Sequence, residues 1–362
     1  MPARKTLRIV ALGVGVVLLG LGAAAWSLWP EVEEIPEELE AIEAEVSIPN
    51  LELPAQGPME AVRLGDLQGK KVVLLIEGRE SMSGGEGKLI HRAMHRWQMP
   101  EDVVVYSVGD APAGAVVMRS KIEREFVGPM RAEMRWPIYI DYGGALTTAF
   151  NLPKGHLGLV VLDEQGEVAM RHAGDLDEAA LAELGTLLGA KEPEPGPPAP
   201  AFSVGGLDDA GCRERDCVLV FLDRKVARSE IPGLEDGGFE GDMQESFEQI
   251  AKPSVRLARL LTADWGPDER AKIGGVVIGE ADGWEVEGWP LVAPDAEGAA
   301  EARAAFEVGE EAGMVVLADG GRVSMAERGL IPFWKMMLAA DILGVEPKEY
   351  GEGKGKGEDE GD

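Results

Sequence analysis

The chain matches itself. Trp136-Pro137 is answered by Trp289-Pro290, 153 residues on, and Gly166-Glu167-Val168 is answered by Gly321-Arg322-Val323, 155 residues on. The two offsets differ by two residues, so a single short insertion aligns both anchors. Between and around them the same order of patterns recurs. WPIYIDYGGALTTAF, GLVVLDEQGEV and RHAGDLDEAALAELGTLLGA in the first half are matched by WPLVAPDAEGAAEARAAF, GMVVLADGGRV and AERGLIPFWKMMLAADILGV in the second. A chain of 362 residues exceeds one ordinary domain, and a repeat at this spacing splits it into two.

Each copy predicts the same elements. Apolar runs at Val72–Ile76 and Val218–Leu222 read as buried strands. Helical sequence follows at Lys88–Trp97 and Phe247–Leu261, the latter interrupted at Pro253. Further apolar runs come at Val103–Ser107 and Gly275–Gly279, then the Trp-Pro strand, a helix and a closing hairpin. The second hairpin strands are Val168–His172 and Val323–Glu327, and an amphipathic helix ends each copy. Alternating strands and helices closed by a hairpin predict an α/β fold with a mixed central sheet flanked by helices.

Composition narrows the function classes. Asp and Glu outnumber Lys and Arg 65 to 35, and a net charge of −30 repels phosphate, which sets nucleic acid aside as a partner. Hydrophobic content of 45% suffices for packed cores. Two cysteines do not make a disulfide scaffold.

Residues 1–8 form a basic end carrying Arg4, Lys5 and Arg8, and residues 9–29 form an apolar run. As a helix its 21 residues would span about 31 Å, enough for a bilayer core. Trp26 and Trp29 stand at the interface opposite the basic end, which predicts a single-pass signal anchor with the body on the extracytoplasmic (periplasmic) side. Ala23-Ala24-Ala25 offers the alternative of a cleaved signal peptide, with the same side for the body. Residues 30–46 read as an acidic spacer and 47–190 as domain 1. The Pro-rich stretch 191–201 is a linker, 202–345 domain 2, and 346–362 a disordered acidic tail.

The run IPNLELPAQGPMEAVRLGDLQGKKVVLLI and the stretch from Trp136 to Val168, with its turn at Asp163 and Gly166, resemble the thioredoxin-like superfamily, specifically its redoxin branch (alkyl hydroperoxide reductase/thiol-specific antioxidant and TlpA-like proteins). The resemblance covers about residues 46–190 and, more loosely, 198–345. It implies two tandem thioredoxin-like domains. It also implies a reactive cysteine at the start of the helix after the central strand, where the helix dipole lowers a thiol pKa, and a second cysteine three residues on. In this chain Ser81-Met82-Ser83-Gly84 takes that place in the first copy and the tetrad from Ala227 to Glu230 in the second. Neither contains cysteine, and serine without an adjacent base is a weak nucleophile. The resemblance further implies a cis-proline opposite the dithiol. Leu157 and Ala312 stand there by register, or His156 and Glu311 if it slips by one. The peroxidatic pattern is missing as well. Both copies therefore read as redox-inactive, with no catalytic residue, cofactor or metal ligand expected.

Cys212 and Cys217 stand just before and at the start of the second central strand. Five residues of extended chain hold two Cα atoms too far apart for a bond, whereas a turn at Glu214-Arg215 would bring them together. A structural bridge, isolated thiols and a redox pair all remain open. His91 and His95 share a helix face at i,i+4, a zinc-compatible spacing, but with no acid tied to them the expectation is a solvated face. His172 is expected to pair locally. Ser83–Lys88 resembles a phosphate loop without its spacing, and its helix N-terminus could receive an anion or a carboxylate. Asp141, Asp163 and Asp319 read as turn-capping residues.

The leading expectation is a non-catalytic binding or assembly module for an envelope protein. Its alternative is a thiol–disulfide oxidoreductase or antioxidant redoxin of the cell envelope using Cys212 and Cys217. A third expectation is ligand binding around Ser81–Gly85.

Overall fold

In a computed structural model of the chain the predicted apolar runs become the centres of two sheets. The structure describes residues 32–43, 46–78, 81, 86–231, 251–261 and 265–345. The apolar run 9–29, the acidic tail 346–362, Met82, Ser83, Gly84 and the stretch 247–250 lie outside the described residues. Among the described residues no helix is long and apolar enough to cross a membrane. The chain divides into two units, Met1–His91 with Met99–Arg131 and Trp136–Lys191, and Arg92–Gln98 with Ala132–Arg135 and Glu192–Asp362.

The sheet of unit 1 contains β1 (Lys71–Glu77), β2 (Val103–Ala111), β3 (Ile138–Tyr142), β4 (Gly158–Leu162) and β5 (Val168–Ala173), in the order β3-β2-β1-β4-β5. β1, β2 and β3 run parallel, and β4 and β5 are antiparallel to their neighbours. Helix α1 (Lys88–Arg96) follows β1, α2 (Ala145–Ala149) follows β3, and α3 (Glu178–Leu188) ends the unit. Alternate residues Val72, Leu74 and Ile76 of β1 pack with Val108, Val160, Leu162 and Phe150 into one cluster. The period of two follows from the pleat, and β1 reads as a continuous apolar run because both of its faces are covered. Asp177 starts α3 by accepting a hydrogen bond from Ala180 N, and Gly189 ends it in the left-handed region.

Unit 2 repeats this order with β6 (Cys217–Phe221), β7 (Gly274–Ile278), β8 (Leu291–Val292), β9 (Gly313–Ala318) and β10 (Arg322–Arg328), arranged β8-β7-β6-β9-β10 with the same pattern of directions. Its described helices are α4 (Pro253–Arg259), α5 (Pro267–Lys272), α6 (Ala299–Ala305) and α7 (Phe333–Ile342). One sheet face carries Val218, Val220, Met314 and Val316, and the other carries Cys217, Leu219, Phe221 and Val315. The closing hairpins break register between Val161 and Leu162 in unit 1 and between Val316 and Leu317 in unit 2, the same place on a shift of 155.

Two expectations change. Pro253 does not interrupt the described part of its helix but begins it, at a position where a missing N–H costs nothing. The acidic segment expected as a spacer does not stand clear of the body, because Leu39 and Ile42 pack against the apolar cluster of unit 1.

Candidate functional site

In a mixed α/β sheet the carboxyl ends of the parallel strands leave helix N-termini and loops facing solvent, where ligand sites are built. In unit 1 this end belongs to Glu77, the loop beyond β1, the start of α1 and the loop 151–157 that enters β4. Gly78 lets the two loops touch. A Cβ there would lie 2.4 Å from the His156 carbonyl oxygen and from Gly155 C, so a side chain would push the His156 loop away.

Across that contact Glu86 acts as a clasp. One carboxylate oxygen accepts from Leu157 N at 2.8 Å, and the other faces His156 Nδ1 at 2.6 Å. His156 Nε2 meets the carbonyl oxygen of Glu33 at 2.6 Å. Both atoms facing the ring are acceptors, so the ring serves both when each of its nitrogens carries a proton. One residue on, Gly87 N donates to Asp175 Oδ1 at 2.8 Å, placing a carboxylate at the N-terminal end of α1, where the helix dipole favours negative charge. His172 Nε2 bonds Asp175 O at 2.9 Å and ties the end of β5 into the same cluster.

A second Glu–His pair lies beside the first. His91 Nε2 stands 3.0 Å from Glu77 Oε1, and both side chains are mostly buried. Burial works against charge on this imidazole, but the hydrogen bond and negative charge of Glu77 outweigh it and raise the His91 pKa above the ordinary value. The expectation of a solvated face for His91 and His95 is thereby overturned. Glu77, the last residue of β1, turns toward α1, and His95 is itself buried. Among the described residues no cluster of three or more His, Cys, Asp or Glu could hold a metal ion.

Of the positions matched to the dithiol and to the cis-proline, the described ones are polar or closed. The Ser81 hydroxyl donates to Gly78 O at 3.1 Å, a carbonyl that cannot take its proton. Leu157 is fully buried; its N–H is held by Glu86 and its carbonyl by Gly174 N at 2.8 Å. Ala312, also fully buried, receives Gly329 N at 2.8 Å in the same way. Among the described residues there is no cis peptide bond. In unit 2, Ala227 belongs to a two-residue strand, Val226–Ala227, paired with Ala281–Asp282, and Arg228–Glu230 forms one 3-10 turn. Glu230 accepts from Ala227 N at 3.1 Å and from Arg224 Nη2 at 2.8 Å, and chiefly the Arg224 hydrogen bond lowers its pKa to about 2.

Cys212 and Cys217 form a disulfide with Cα atoms 5.6 Å apart. The 3-10 turn Gly211–Arg213 shortens the path that an extended chain would make too long. Both cysteines are buried, and Cys217 opens β6, a strand length of about 13 Å from Phe221 at the other end.

Three pairings escape sequence reasoning: Glu86 with His156, Glu77 with His91, and Asp110 beside Asp141. Asp110 and Asp141 are direct neighbours across β2 and β3. Thr147 Oγ1 donates to Asp110 at 3.0 Å and Leu146 N donates to Asp141 at 2.7 Å, the capping role expected for Asp141. Asp163 accepts from Gln165 N and Glu167 N, as turn chemistry predicts. Burial first, and then Asp141 despite the Thr147 bond, pushes the Asp110 pKa up to about 6.

No protein-family model and no curated protein matches the chain. Solved structures do match part of it. A thiol-disulfide isomerase from Corynebacterium glutamicum is 18% identical over 42% of this chain and 96% of its own, with a TM-score of 0.27. The exposed lipoprotein thioredoxin of Streptococcus pneumoniae is 19% identical over 37% and 96%, TM-score 0.28. A DsbF homologue from Corynebacterium diphtheriae is 15% identical over 43% and 97%, TM-score 0.28. These are thioredoxin-like neighbours, each about the size of one unit.

Proposed function

We propose that this chain is a membrane-anchored, extracytoplasmic protein whose two units are tandem, degenerate copies of a thioredoxin-like domain, serving as a non-catalytic binding or assembly module for an envelope protein. The supporting observation is the clasp of Glu86. It stands beside the segment matched to a dithiol and spends its carboxylate on holding His156 and the Leu157 amide. The chain's two cysteine sulfurs are joined and buried in unit 2. The identical sheet orders and the matching hairpin bulges support duplication. The anchor reading rests on the apolar run 9–29, with its basic end and its tryptophans.

The purified chain is expected to show no thiol-dependent reduction of insulin or of hydroperoxide above background. Turnover at the rates of a thioredoxin would end the binding reading. The alternative, an envelope thiol–disulfide oxidoreductase or antioxidant redoxin, is favoured by the one disulfide. The double variant Cys212→Ser/Cys217→Ser tests it directly, since loss of a cellular redox phenotype with the fold intact supports that alternative. For the anchor, the chain is expected to stay with membranes through an alkaline carbonate wash, and release into the soluble fraction would overturn it.

A further inference from the structure

Unit 1 carries a seat, and the chain's own segment 32–43 sits in it. Gly155 has φ +85° and its missing Cβ leaves room for Val32, whose Cγ2 would lie 3.0 Å away. Gly174 has φ +77° and makes room for Ile35, whose Cδ1 would lie 2.6 Å from a Cβ. Between these two contacts the polar groups of the seat read mainly backbone. Lys154 O accepts from Glu33 N at 3.1 Å, and His156 Nε2 meets Glu33 O. Farther along, Arg171 Nη2 donates to Glu40 O at 2.7 Å and Asn151 Nδ2 to Ala41 O at 3.3 Å. One side chain is read as well: the Glu33 carboxylate accepts from Lys154 N at 3.0 Å and pairs with Lys154 Nζ at 3.5 Å.

The occupant is anchored at its far end, where Leu39 and Ile42 pack against the apolar cluster, and more lightly held at its near end. Residues 32–38 are exposed, Val32 and Ile35 remain 38% exposed while seated, and among the described residues one backbone-to-backbone bond, Glu33 N to Lys154 O, joins this part to its seat. Segments with few buried apolar contacts and exposed hydrogen bonds open far below the cost of global unfolding. The matching place in unit 2 keeps only half of the seat: a shift of 155 puts Glu310 where unit 1 has Gly155, while Gly329, at φ +69°, answers Gly174.

We infer that this face of unit 1 is a docking surface for an acidic peptide of another envelope protein, and that segment 32–43 is a displaceable stand-in that covers it. The occupant fixes the chemistry the partner must show: an apolar residue, then an acidic one, then a second apolar residue two positions on, in a backbone that bends after the second apolar residue and whose carbonyls reach His156, Arg171 and Asn151. Because recognition is mainly of backbone plus one carboxylate, the surface tolerates sequence variation outside these three positions. The inference deepens the binding-module reading and rests on it.

The test uses the full chain and a synthetic peptide of residues 30–43. In hydrogen exchange, the Glu33 amide is expected to exchange at least 100-fold faster than the β1 amides. In a Val32→Asp/Ile35→Asp variant, the peptide is expected to bind saturably with Kd about 10–100 μM, with at least tenfold loss on adding Arg171→Ala or when the peptide carries Ile35→Asp. Glu33 protection equal to that of β1 overturns the proposal, as does absence of saturable binding at millimolar peptide to a variant with unchanged core exchange. If the variant fails to fold, the wild-type chain decides: peptide that accelerates exchange of the chain's own segment supports displacement, and no acceleration at millimolar peptide refutes it. None of these readouts involves thiol chemistry, so a redox-active protein and a failed docking surface give separate results.

Discussion

Unit 1 and unit 2 share a strand order, strand directions and even the position of a hairpin bulge, yet they are finished at opposite ends of the sheet. Unit 1 concentrates buried polar groups at the carboxyl ends of its parallel strands: Glu77–His91, Glu86–His156, and Asp110 beside Asp141. Unit 2 places its covalent bond at the start of the central strand, packs tryptophan into its core and buries Arg256, Arg259 and Arg270 on its helices. Trp265 and Trp289 meet edge to face at 6.2 Å, and Trp289 Nε1 donates to Arg270 O at 3.1 Å. The sheet tolerates either solution because its backbone hydrogen bonds do not depend on side-chain identity. Buried charged groups are costly unless satisfied, and the two units place them differently: unit 1 gathers carboxylates and imidazoles at strand ends, whereas unit 2 buries guanidinium groups of α4 and α5.

The largest expected effect tests the tryptophan packing of unit 2. A Cβ at Gly275 would lie 2.0 Å from the Trp289 ring, whereas the register partner of Val73 in unit 1, the position matching Gly275, is Val105. Gly275→Val should therefore cost about 3 kcal/mol or more by overpacking, read as a lowered denaturation midpoint for the tryptophan fluorescence of unit 2. An effect below about 1 kcal/mol would mean that the ring can move and that the core is not tightly filled.

Asp110→Asn acts in the other direction. The folded pKa of Asp110 is raised to about 6 from 3.8. The native state therefore keeps a proton that the unfolded chain has lost, and stability falls as pH rises from 3.8 through about 6. The variant should stabilise unit 1 at neutral pH by at most about 3 kcal/mol and flatten that pH dependence. Unchanged pH dependence would mean that burial beside Asp141 does not hold the proton on Asp110.

Opening the disulfide with Cys212→Ser/Cys217→Ser should cost unit 2 about 2 kcal/mol, because the closed loop is short. Denaturant midpoints of both units, followed separately, check that unit 1 is untouched. A shift shared by both would contradict the contrast.

His91→Asn should destabilise unit 1 by about 1 kcal/mol near pH 6 and by less at pH 9. The pKa of His91 is raised, so its contribution is complete below the unfolded value of 6.5 and fades as pH climbs through the folded value. Glu230→Gln should have the smallest effect, a few tenths of a kcal/mol, because its pair with Arg224 is partly exposed. Its pKa is depressed, so the wild-type advantage is present above 4.5 and disappears as pH falls toward 2.

Much of the scaffold was readable from residues. The runs Val72–Ile76 and Val218–Leu222 fall on the central strands, and Gly166 and Gly321 on the turns that close the hairpins. The site was far less readable. Ser81 and Leu157 were placed by register, but Glu86, which holds Leu157, is 71 residues away from it in sequence and belongs to no motif. His91 looked solvent-facing because its partner Glu77 lies on a different element. The same holds for segment 32–43, whose acidic composition reads as a spacer and whose apolar residues find partners only in the folded unit.

Periodicity, turn residues and internal repetition are local properties, and local physics suffices for strands, helices and their order. The sequence by itself therefore determined two α/β units and the lack of cysteine from the whole first copy. Which carboxylate faces which histidine, whether Cys212 reaches Cys217, and what lies over Gly155 and Gly174 were decided by tertiary structure. These contacts join residues tens of positions apart, or depend on a turn bending the chain, and their energy comes from distance and burial that no local pattern encodes.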